Sequence, residues 1–156
     1  MPSVRIGIAE RDALTREAAR AYPYETGGVL MGYQGENDTV VITTIIGPGL
    51  NARHAHQAFV PDHEYHANEV AKIYSASGGR WTYLGDWHSH PGGSAHLSWR
   101  DRSTLRRIAR SSDARVPHPL MLVVCGQSES WQITAHRLLS TWQLRTERIE
   151  LLPTAS

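Results

Sequence analysis

Short apolar runs and longer amphipathic segments alternate along this chain of 156 residues. Runs in which apolar residues alternate with polar ones, or in which β-branched residues are dense, are typical of strands. The strands predicted on this basis are 3–8, 28–33, 39–46, 81–90, 120–124, 131–138 and 144–151. Apolar residues at helical spacing, with capping or terminating residues, predict helices over 11–22, 63–76 and 99–110. Residues 53–60 are consistent with one further strand, ended by Pro61.

The order of these elements mixes strands and helices, with no internal repeat, linker or low-complexity segment. The run 120–124 is wholly apolar, which is typical of a strand covered on both faces of its sheet. We therefore predict an α/β fold, a three-layer α/β/α sandwich around a mixed central sheet. A chain of this length suits one domain, residues 1–156, with its own hydrophobic core.

Composition argues against several functional classes. The formal net charge is +1, so no global field attracts nucleic acid or an anionic membrane. No apolar run approaches the roughly 20 residues that span a bilayer, and the N-terminus lacks a basic and then apolar signal segment. The single cysteine, Cys125, excludes an internal disulfide, a Cys-x-x-Cys zinc site and a thiol redox pair. We expect a cytoplasmic protein that binds neither membranes nor nucleic acid.

Candidate chemistry concentrates at the end of strand 81–90. His88 and His90 are two residues apart, so on a strand both imidazoles project from one face while Ser89 points away. The glycine-rich turn that follows must end the strand.

Helix 99–110 brings a carboxylate to this place. Ser98 is a good N-cap, which puts Asp101 in the first turn of a helix beside the end of the histidine strand. Two neutral imidazoles, one carboxylate and an open position form the ligand set of a catalytic zinc. Taken alone, Ser98 and Asp101 could be no more than a capping box.

The conjunction is rarer than its parts. His-x-His-Pro, six residues and then Ser-x-x-Asp occupy residues 88–101. This arrangement resembles the signature of the JAMM/MPN metalloprotease family, with every fixed position filled. That family also has a glutamate at the start of an early strand, and Glu25 fits this place. The resemblance covers residues 10–131 and implies an α/β/α architecture like that of cytidine deaminases.

The resemblance implies a role for each of these residues. His88, His90 and Asp101 would hold one zinc ion per chain. Amide hydrolysis needs a base for the attacking water and an acid for the leaving amine, and one carboxylate beside the metal can serve as both. Glu25 is the candidate; without the downstream motif it would be taken for a solvated acid after a helix. In the family the serine hydroxyl helps to stabilise the oxyanion, a role that Ser98 would fill.

The implied function is that of a zinc metallopeptidase, an isopeptidase resembling deubiquitinases. It would cut the peptide or isopeptide bond after the C-terminal tail of a ubiquitin-like or other tail-bearing protein. Compact prokaryotic members resemble this chain most, some of them from antiphage systems with ubiquitin-like conjugation. Activating or conjugating enzymes are therefore candidate partners. Two alternatives stay open: a processing peptidase for a sulfur-carrier protein, and a non-catalytic MPN scaffold.

Other enzyme classes fit less well. Nucleobase deaminases share the expected fold, but they use Cys-x-x-Cys ligands that one cysteine cannot supply. Hydrolases built on a (β/α) barrel can begin with a similar Asp/His strand, but such barrels typically need about 250 residues.

Further polar residues leave open hypotheses. Four histidines could form a second metal site, although surface positions are favoured because no carboxylate partner is defined: His54, His56, His63 and His66. Asp86 could orient a metal-bound imidazole, and His96 could touch substrate. A basic flank on helix 99–110 is either a solvated face or a docking surface for an acidic partner; its members are Arg102, Arg106, Arg107 and Arg110.

Overall fold

The computed structural model describes residues 3–153. Within this range three α-helices form: α1 (Ile8–Ala21), α2 (His63–Ala76) and α3 (Trp99–Arg110). The strands of the same range are β1 (Ser3–Gly7), β2 (Gly27–Gln34), β3 (Val40–Ile46), β4 (Arg53–His54), β5 (Phe59–Val60), β6 (Thr82–Pro91), β7 (Leu120–Gln127), β8 (Ser130–Ser140) and β9 (Gln143–Leu152). A single 3-10 turn, Glu36–Asp38, lies between β2 and β3.

Two helices have the bounds that the sequence predicts, because each begins at a residue whose side chain caps it. The Asp62 carboxylate caps α2 by accepting from the Tyr65 N–H at 3.1 Å, and Ser98 caps α3. α1 begins at Ile8, before the predicted start, because its N-cap is a glycine with no side chain to mark the boundary. Residues 53–60 form two very short strands that pair as a hairpin, and not the single strand expected.

Seven strands form one mixed sheet in the order β1-β3-β2-β6-β7-β8-β9. β1 pairs in parallel with both β3 and β9, so the sheet closes into a barrel. The predicted mixed sheet is confirmed. Closure, however, differs from the open central sheet of a three-layer sandwich. It gives hydrogen-bond partners to the backbone groups of both edge strands, which an open sheet would leave exposed.

The two faces of the sheet pack against different helices. Leu120, Leu122 and Val124 of β7 belong to a buried cluster that includes α1. The alternate residues of β7 belong to a second cluster with α3, and outward-facing residues of β2 pack against α2. α1 therefore fills the inside of the closed sheet, while α2 and α3 cover its outer face.

A β-bulge in β6 separates the two halves of that strand. Leu30 of β2 pairs with Gly85, but the next residue, Met31, pairs with Tyr83, so Leu84 is an extra residue on β6. Such a residue advances the alternation of side chains by one position.

Gly85 makes this bulge possible. Its φ is 150°, which side chains disfavour, and a Cβ there would lie 2.0 Å from the carbonyl oxygen of Leu120. Beyond the bulge Trp87 points to the inner cluster, where it is 1% exposed. The alternate residues Asp86, His88 and His90 point to the outer face, where α3 packs.

No helix within residues 3–153 is both long enough and apolar enough to cross a membrane.

Candidate metal centre

The histidine end of β6 lies between β2 and β7, and α3 starts beside it. In the sheet His88 pairs with Gly27 on one side and Val123 on the other. α3 packs on the outer face of β7 through the buried Leu105. The first turn of α3 therefore reaches the two imidazoles, as the sequence predicts.

Three ligand atoms converge at this point. The Nε2 atoms of His88 and His90 are 2.8 Å apart. Asp101 Oδ1 lies 3.3 Å from His88 Nε2, and Asp101 Oδ2 lies 3.5 Å from His90 Nε2. Within residues 3–153 these three residues form the one group of three or more histidine, cysteine or acidic side chains that could hold a metal ion.

Each imidazole is oriented through its other nitrogen. His90 Nδ1 lies 2.8 Å from the Ser94 carbonyl oxygen, which can only accept, so Nδ1 carries the proton and Nε2 keeps a lone pair. His88 Nδ1 lies 3.1 Å from the Met121 sulfur, also an acceptor. Two lone pairs facing each other at short range, with a carboxylate, suit a cation between them. The donor set thus fits a metal ion.

Asp101 is held by a complete capping box. Its Oδ2 accepts from the Ser98 N–H at 2.8 Å, and its own N–H donates to Ser98 Oγ at 3.1 Å. Burial alone would raise the pKa of Asp101, but the adjacent imidazoles of His88 and His90, together with the Ser98 N–H, favour its charged form and hold the pKa well below its usual range. The carboxylate is therefore fixed in position and ionised.

His90 shows the reciprocal effect. Burial opposes protonation of its imidazole, but hydrogen bonding to Asp101 and to the Ser94 carbonyl raises its pKa above the ordinary value.

Glu25 lies just before β2, opposite the histidine end of β6. Thr26 and Ser89 exchange two hydrogen bonds of 2.9 Å: the Thr26 N–H donates to Ser89 Oγ, and the Ser89 N–H donates to the Thr26 carbonyl. Ser89 points inward and is fully buried, as its position on the strand predicts. With Gly27 paired to His88, the alternation places Glu25 on the same outer face as the imidazoles.

The carboxyl group of Glu25 is half-buried. Burial raises its pKa, while charge on His88 and His90 acts in the opposite direction. A carboxyl with a raised pKa can exchange a proton more readily near neutral pH than an ordinary glutamate can.

The β4–β5 hairpin holds the backbone of Glu25 on both sides. The Glu25 N–H donates to the Ala55 carbonyl at 2.7 Å, and His54 Nδ1–H donates to the Glu25 carbonyl at 2.9 Å. The His54 ring packs on Phe59 with centroids 5.4 Å apart. The sequence marks His54 only as a candidate metal ligand, and this contact was missed because it joins residues 29 positions apart.

Within the described range 3–153, the histidines considered for a second metal site form no further cluster of ligands. His66 is buried and its Nε2 lies 2.8 Å from the Gly47 carbonyl, so it is not the surface residue expected. His56 packs on Tyr24 with centroids 4.8 Å apart. His63 is exposed at the start of α2.

Asp86 is hydrogen-bonded to Tyr83, and not to a metal-site imidazole as the sequence left open. It shares the outer face with the metal-site histidines, but its Oδ1 accepts from the Tyr83 hydroxyl at 2.6 Å. Burial raises the pKa of Asp86. The imidazoles are held instead by Ser94 and Met121, whose roles no local sequence signal marks.

Comparison with known proteins gives consistent results. Residues 9–135 match the family model of prokaryotic homologs of the JAB domain. The probable metalloprotease y4qB of Sinorhizobium fredii is 42% identical over 121 residues, which cover 77% of this chain and 74% of that protein. A CD-NTase/cGAS isopeptidase of Enterobacter hormaechei is 31% identical over 130 residues, covering 80% and 68%.

The fold also has a solved counterpart. The solution structure of protein DSY2949 from Desulfitobacterium hafniense superposes with a TM-score of 0.74. The match covers 96% of this chain and 93% of that one, at 18% sequence identity.

Proposed function

The chain belongs to the family of prokaryotic JAB-domain proteins, and on that premise we propose that it is a zinc-dependent metallopeptidase. Its substrate would be the peptide or isopeptide bond after the C-terminal tail of a ubiquitin-like or other tail-bearing protein. The observation that carries the proposal is the convergence of two imidazole lone pairs and one carboxylate, with Glu25 on the same face.

Similarity supports the choice of bond. Relatives from Enterobacter hormaechei, Escherichia coli and Vibrio cholerae are named CD-NTase/cGAS isopeptidases, and another relative is named a probable metalloprotease. An isopeptidase needs a substrate already joined to a second protein. Activating or conjugating enzymes that make such a bond are therefore the partners that we propose.

The metal would be held by His88, His90 and Asp101, with Ser94 and Met121 orienting the two imidazoles. When bound, zinc supplies Lewis acidity toward the scissile carbonyl and lowers the pKa of water toward neutrality.

Glu25 would move the proton. Its carboxylate would take a proton from the attacking water and return it to the nitrogen of the leaving amine. The half-buried position and raised pKa of Glu25 support this assignment. The hairpin that holds its backbone would keep the carboxylate directed at the site.

Ser98 would support the carbonyl oxygen as negative charge develops. Its Oγ already accepts from the Asp101 N–H, so the hydroxyl proton is free to donate to substrate. Such a fixed donor is worth most when it points at charge that forms only in the transition state. The capping and catalytic roles of Ser98 are therefore compatible.

The shape of the substrate gives the test. Extended peptides bind by adding hydrogen bonds to strand edges, and a close passage favours a small side chain next to the cut. We expect cleavage after a flexible tail that ends in glycine, weaker cleavage after alanine, and little after tryptophan. Fusions of candidate ubiquitin-like proteins with these three terminal residues, analysed by mass spectrometry, would locate the cut.

The control is the same incubation with His88→Ala protein, which should leave all three fusions intact. Cleavage that is indifferent to the terminal residue would contradict the threading of a narrow tail. Tight binding of zinc-loaded protein to the fusions, without any cut, would instead favour the scaffold.

A further inference from the structure

The outward side of α3 carries a row of polar and aromatic residues. Leu105 and Ile108 are the buried residues of this helix, so the opposite side faces solvent. Residues at spacings of three and four lie along one side of a helix. The residues that follow one another on this side are Trp99, Ser103, Arg106 and Arg110. Arg107 lies beside them.

A tryptophan from the β8–β9 turn completes a groove along this row. Trp142 is 82% exposed, and the Arg106 guanidinium lies 4.6 Å from the centre of its ring. Arg106 Nε also donates to the Thr141 carbonyl at 2.8 Å, which fixes the turn against α3. We call the resulting concave surface the arginine groove; it is lined by Ser103, Arg106, Arg107, Arg110, Ser111 and Trp142.

The arginines of this groove make no ion pair with the residues of the range 3–153. In the part of the chain that the structure describes, neither Arg106 nor Arg107 nor Arg110 forms an ion pair, whereas arginines on other elements do. The single acidic residue of α3 is Asp101, and it faces the imidazoles of the candidate metal centre. Three guanidinium groups therefore lie along one surface without an ion-paired carboxylate, although Arg106 uses its Nε on the Thr141 carbonyl and Arg107 is close enough to the buried Asp86 to offset part of the rise that burial causes in its pKa.

We propose that the arginine groove binds an acidic peptide segment of the protein substrate. Guanidinium groups pair with carboxylates through two parallel hydrogen bonds, and the exposed ring of Trp142 offers an apolar surface for the chain between them. The inference rests on the proposed peptidase function only in assigning this segment to the substrate.

The groove and the candidate metal centre share one rigid element. At 1.5 Å per residue, Arg106 and Arg110 lie about 8 and 14 Å along the helix axis from Asp101. A folded protein whose tail enters the metal centre would therefore rest on α3 with its surface over the groove. Acidic residues on that surface would be drawn to the site and would lower the KM of the reaction.

A peptide fits the groove better than nucleic acid does. Nucleic-acid binding depends on neutralising many phosphates along an extended basic surface. Here the basic row covers one side of a helix of 12 residues, and the whole chain carries a formal net charge of +1. One face of the Trp142 ring is also already covered by Arg106.

The first test measures binding without turnover. A fluorescein-labelled peptide of six glutamates alternating with six glycines would be titrated with wild-type protein, with lysine replacing glutamate as the control peptide. We expect only the acidic peptide to raise the anisotropy, and to do so less at high salt. Arg106→Glu/Arg107→Glu/Arg110→Glu protein should bind it at least about tenfold more weakly, because each reversed charge turns an attraction into a repulsion.

A matched variant separates local from general charge effects. Arg11→Glu/Arg16→Glu/Arg148→Glu has the same change in net charge on other surfaces, and it should bind the peptide within about twofold of wild type once screening is allowed for. Arg110→Ala serves if the triple variant of the groove does not fold. Equal binding by wild type and both groove variants would overturn the proposal, as would a complete lack of binding to the acidic peptide.

Two further arms fix the identity of the occupant. If an oligothymidylate of 12 nucleotides binds more tightly than the acidic peptide does, the arginine groove is a nucleic-acid site and the proposal is wrong. In the fusion assay, a Glu-Gly segment placed in the tail-bearing protein, ahead of its flexible tail, should lower the KM for wild type but not for the groove variant, with kcat unchanged. If the peptide binds but no fusion is cut, the peptidase function fails and the acidic-peptide site stands; no effect of the segment on KM would separate the groove from the substrate.

Discussion

Two ionic clusters on opposite faces of the same sheet are built on opposite rules. In the first, Arg137 is 1% exposed and pairs with Asp38 at 2.9 Å, Asp38 pairs with Arg145 at 3.1 Å, and Arg145 pairs with Glu147, itself buried. Positive and negative groups alternate, so each charge neutralises its neighbour. In the second, the candidate metal centre, the groups that face one another all carry lone pairs: Nε2 of His88, Nε2 of His90 and the Asp101 carboxylate.

This difference distinguishes a candidate metal-binding site from an ion-pair network that only stabilises the fold. The arginine network is complete as it stands and ties the turn before β3 to β8 and β9. At the candidate metal centre each Nδ1 faces an acceptor, and the two Nε2 atoms and the Asp101 carboxylate converge as electron-pair donors. A bound cation would neutralise this carboxylate and engage both imidazole lone pairs, as the arginines neutralise the acids of the first cluster. The predictions below set the two clusters against each other.

Removal of one imidazole should have the largest effect. His88→Ala should abolish zinc binding and with it cleavage of the glycine fusion, because two remaining ligands hold the metal poorly. Zinc would be measured by elemental analysis of purified protein. The matched control is His63→Ala, which removes an exposed histidine and should retain one zinc per chain. Equal zinc in both variants would contradict the site.

Bound zinc should also stabilise the folded protein, which the arginine network does without a ligand. A ligand at a hundredfold excess over its Kd stabilises the folded state by about 2.7 kcal/mol. A chelator should therefore lower the Tm of wild type and leave that of His88→Ala unchanged, as followed by circular dichroism.

The next effect concerns Glu25. Glu25→Gln should keep the fold and the zinc but slow turnover by at least about a hundredfold, the lower range for a positioned acid or base. The amide is nearly isosteric and cannot exchange the proton. Glu64→Gln, at an exposed position on α2, is the control and should retain full turnover. Normal turnover by zinc-loaded Glu25→Gln protein would remove this residue from the mechanism.

In the arginine network the same kind of change should affect stability and not turnover. Asp38→Asn leaves the buried Arg137 guanidinium without its charged partner, at a cost of about 2 kcal/mol. Asparagine tolerates the left-handed backbone at this position, where φ is 62°, so the loss is one of charge. Urea unfolding would measure it, and Asp12→Asn at an exposed pair on α1 should change stability by less than about 0.5 kcal/mol.

The pH dependence of this contribution to stability follows from the pKa of Asp38. Hydrogen bonding from Arg145 lowers this pKa, with Arg137 acting in the same direction. A depressed pKa in the folded state gives stability above the ordinary aspartate pKa of about 4, and that stability is lost as the pH falls below it. The difference between wild type and Asp38→Asn should therefore shrink on acidification; a difference that grows would contradict the pairing.

The smallest effect should come from the hairpin beside Glu25. His54→Ala removes one hydrogen bond to the Glu25 carbonyl and should lower kcat about tenfold, with zinc content and KM little changed. His54→Asn keeps an N–H at a similar position and should recover most of the loss. His56→Ala, whose ring packs on Tyr24, is the matched control. If Asn restores nothing, the role of His54 is packing and not the hydrogen bond.

The elements that the sequence predicts best are those with local signals. α3 has its predicted bounds because Ser98 and Asp101 form a box within one helical turn, and the alternation of β6 places His88 and His90 on one face. The ligand atoms meet because these two local rules meet.

What the sequence could not supply is non-local pairing. Closure of the sheet depends on β1 and β9, whose paired residues Ser3 and Arg148 lie far apart in the chain. The acceptors of the imidazoles come from a turn and from a neighbouring strand, and the hairpin on Glu25 comes from a segment with weak strand signals. Only the packing of the whole chain decides such contacts.

The bulge at Gly85 has a consequence for how relatives of this protein can diverge. A loop before β6 can gain or lose residues freely, because the strand is re-registered at the bulge and the alternation restarts there. Between Gly85 and His90 no such freedom exists: one residue inserted or deleted before His88 would turn both imidazoles into the hydrophobic interior, and a change between the two histidines would place them on opposite faces. Insertions and deletions should therefore be tolerated in relatives up to this glycine and not between it and the histidines.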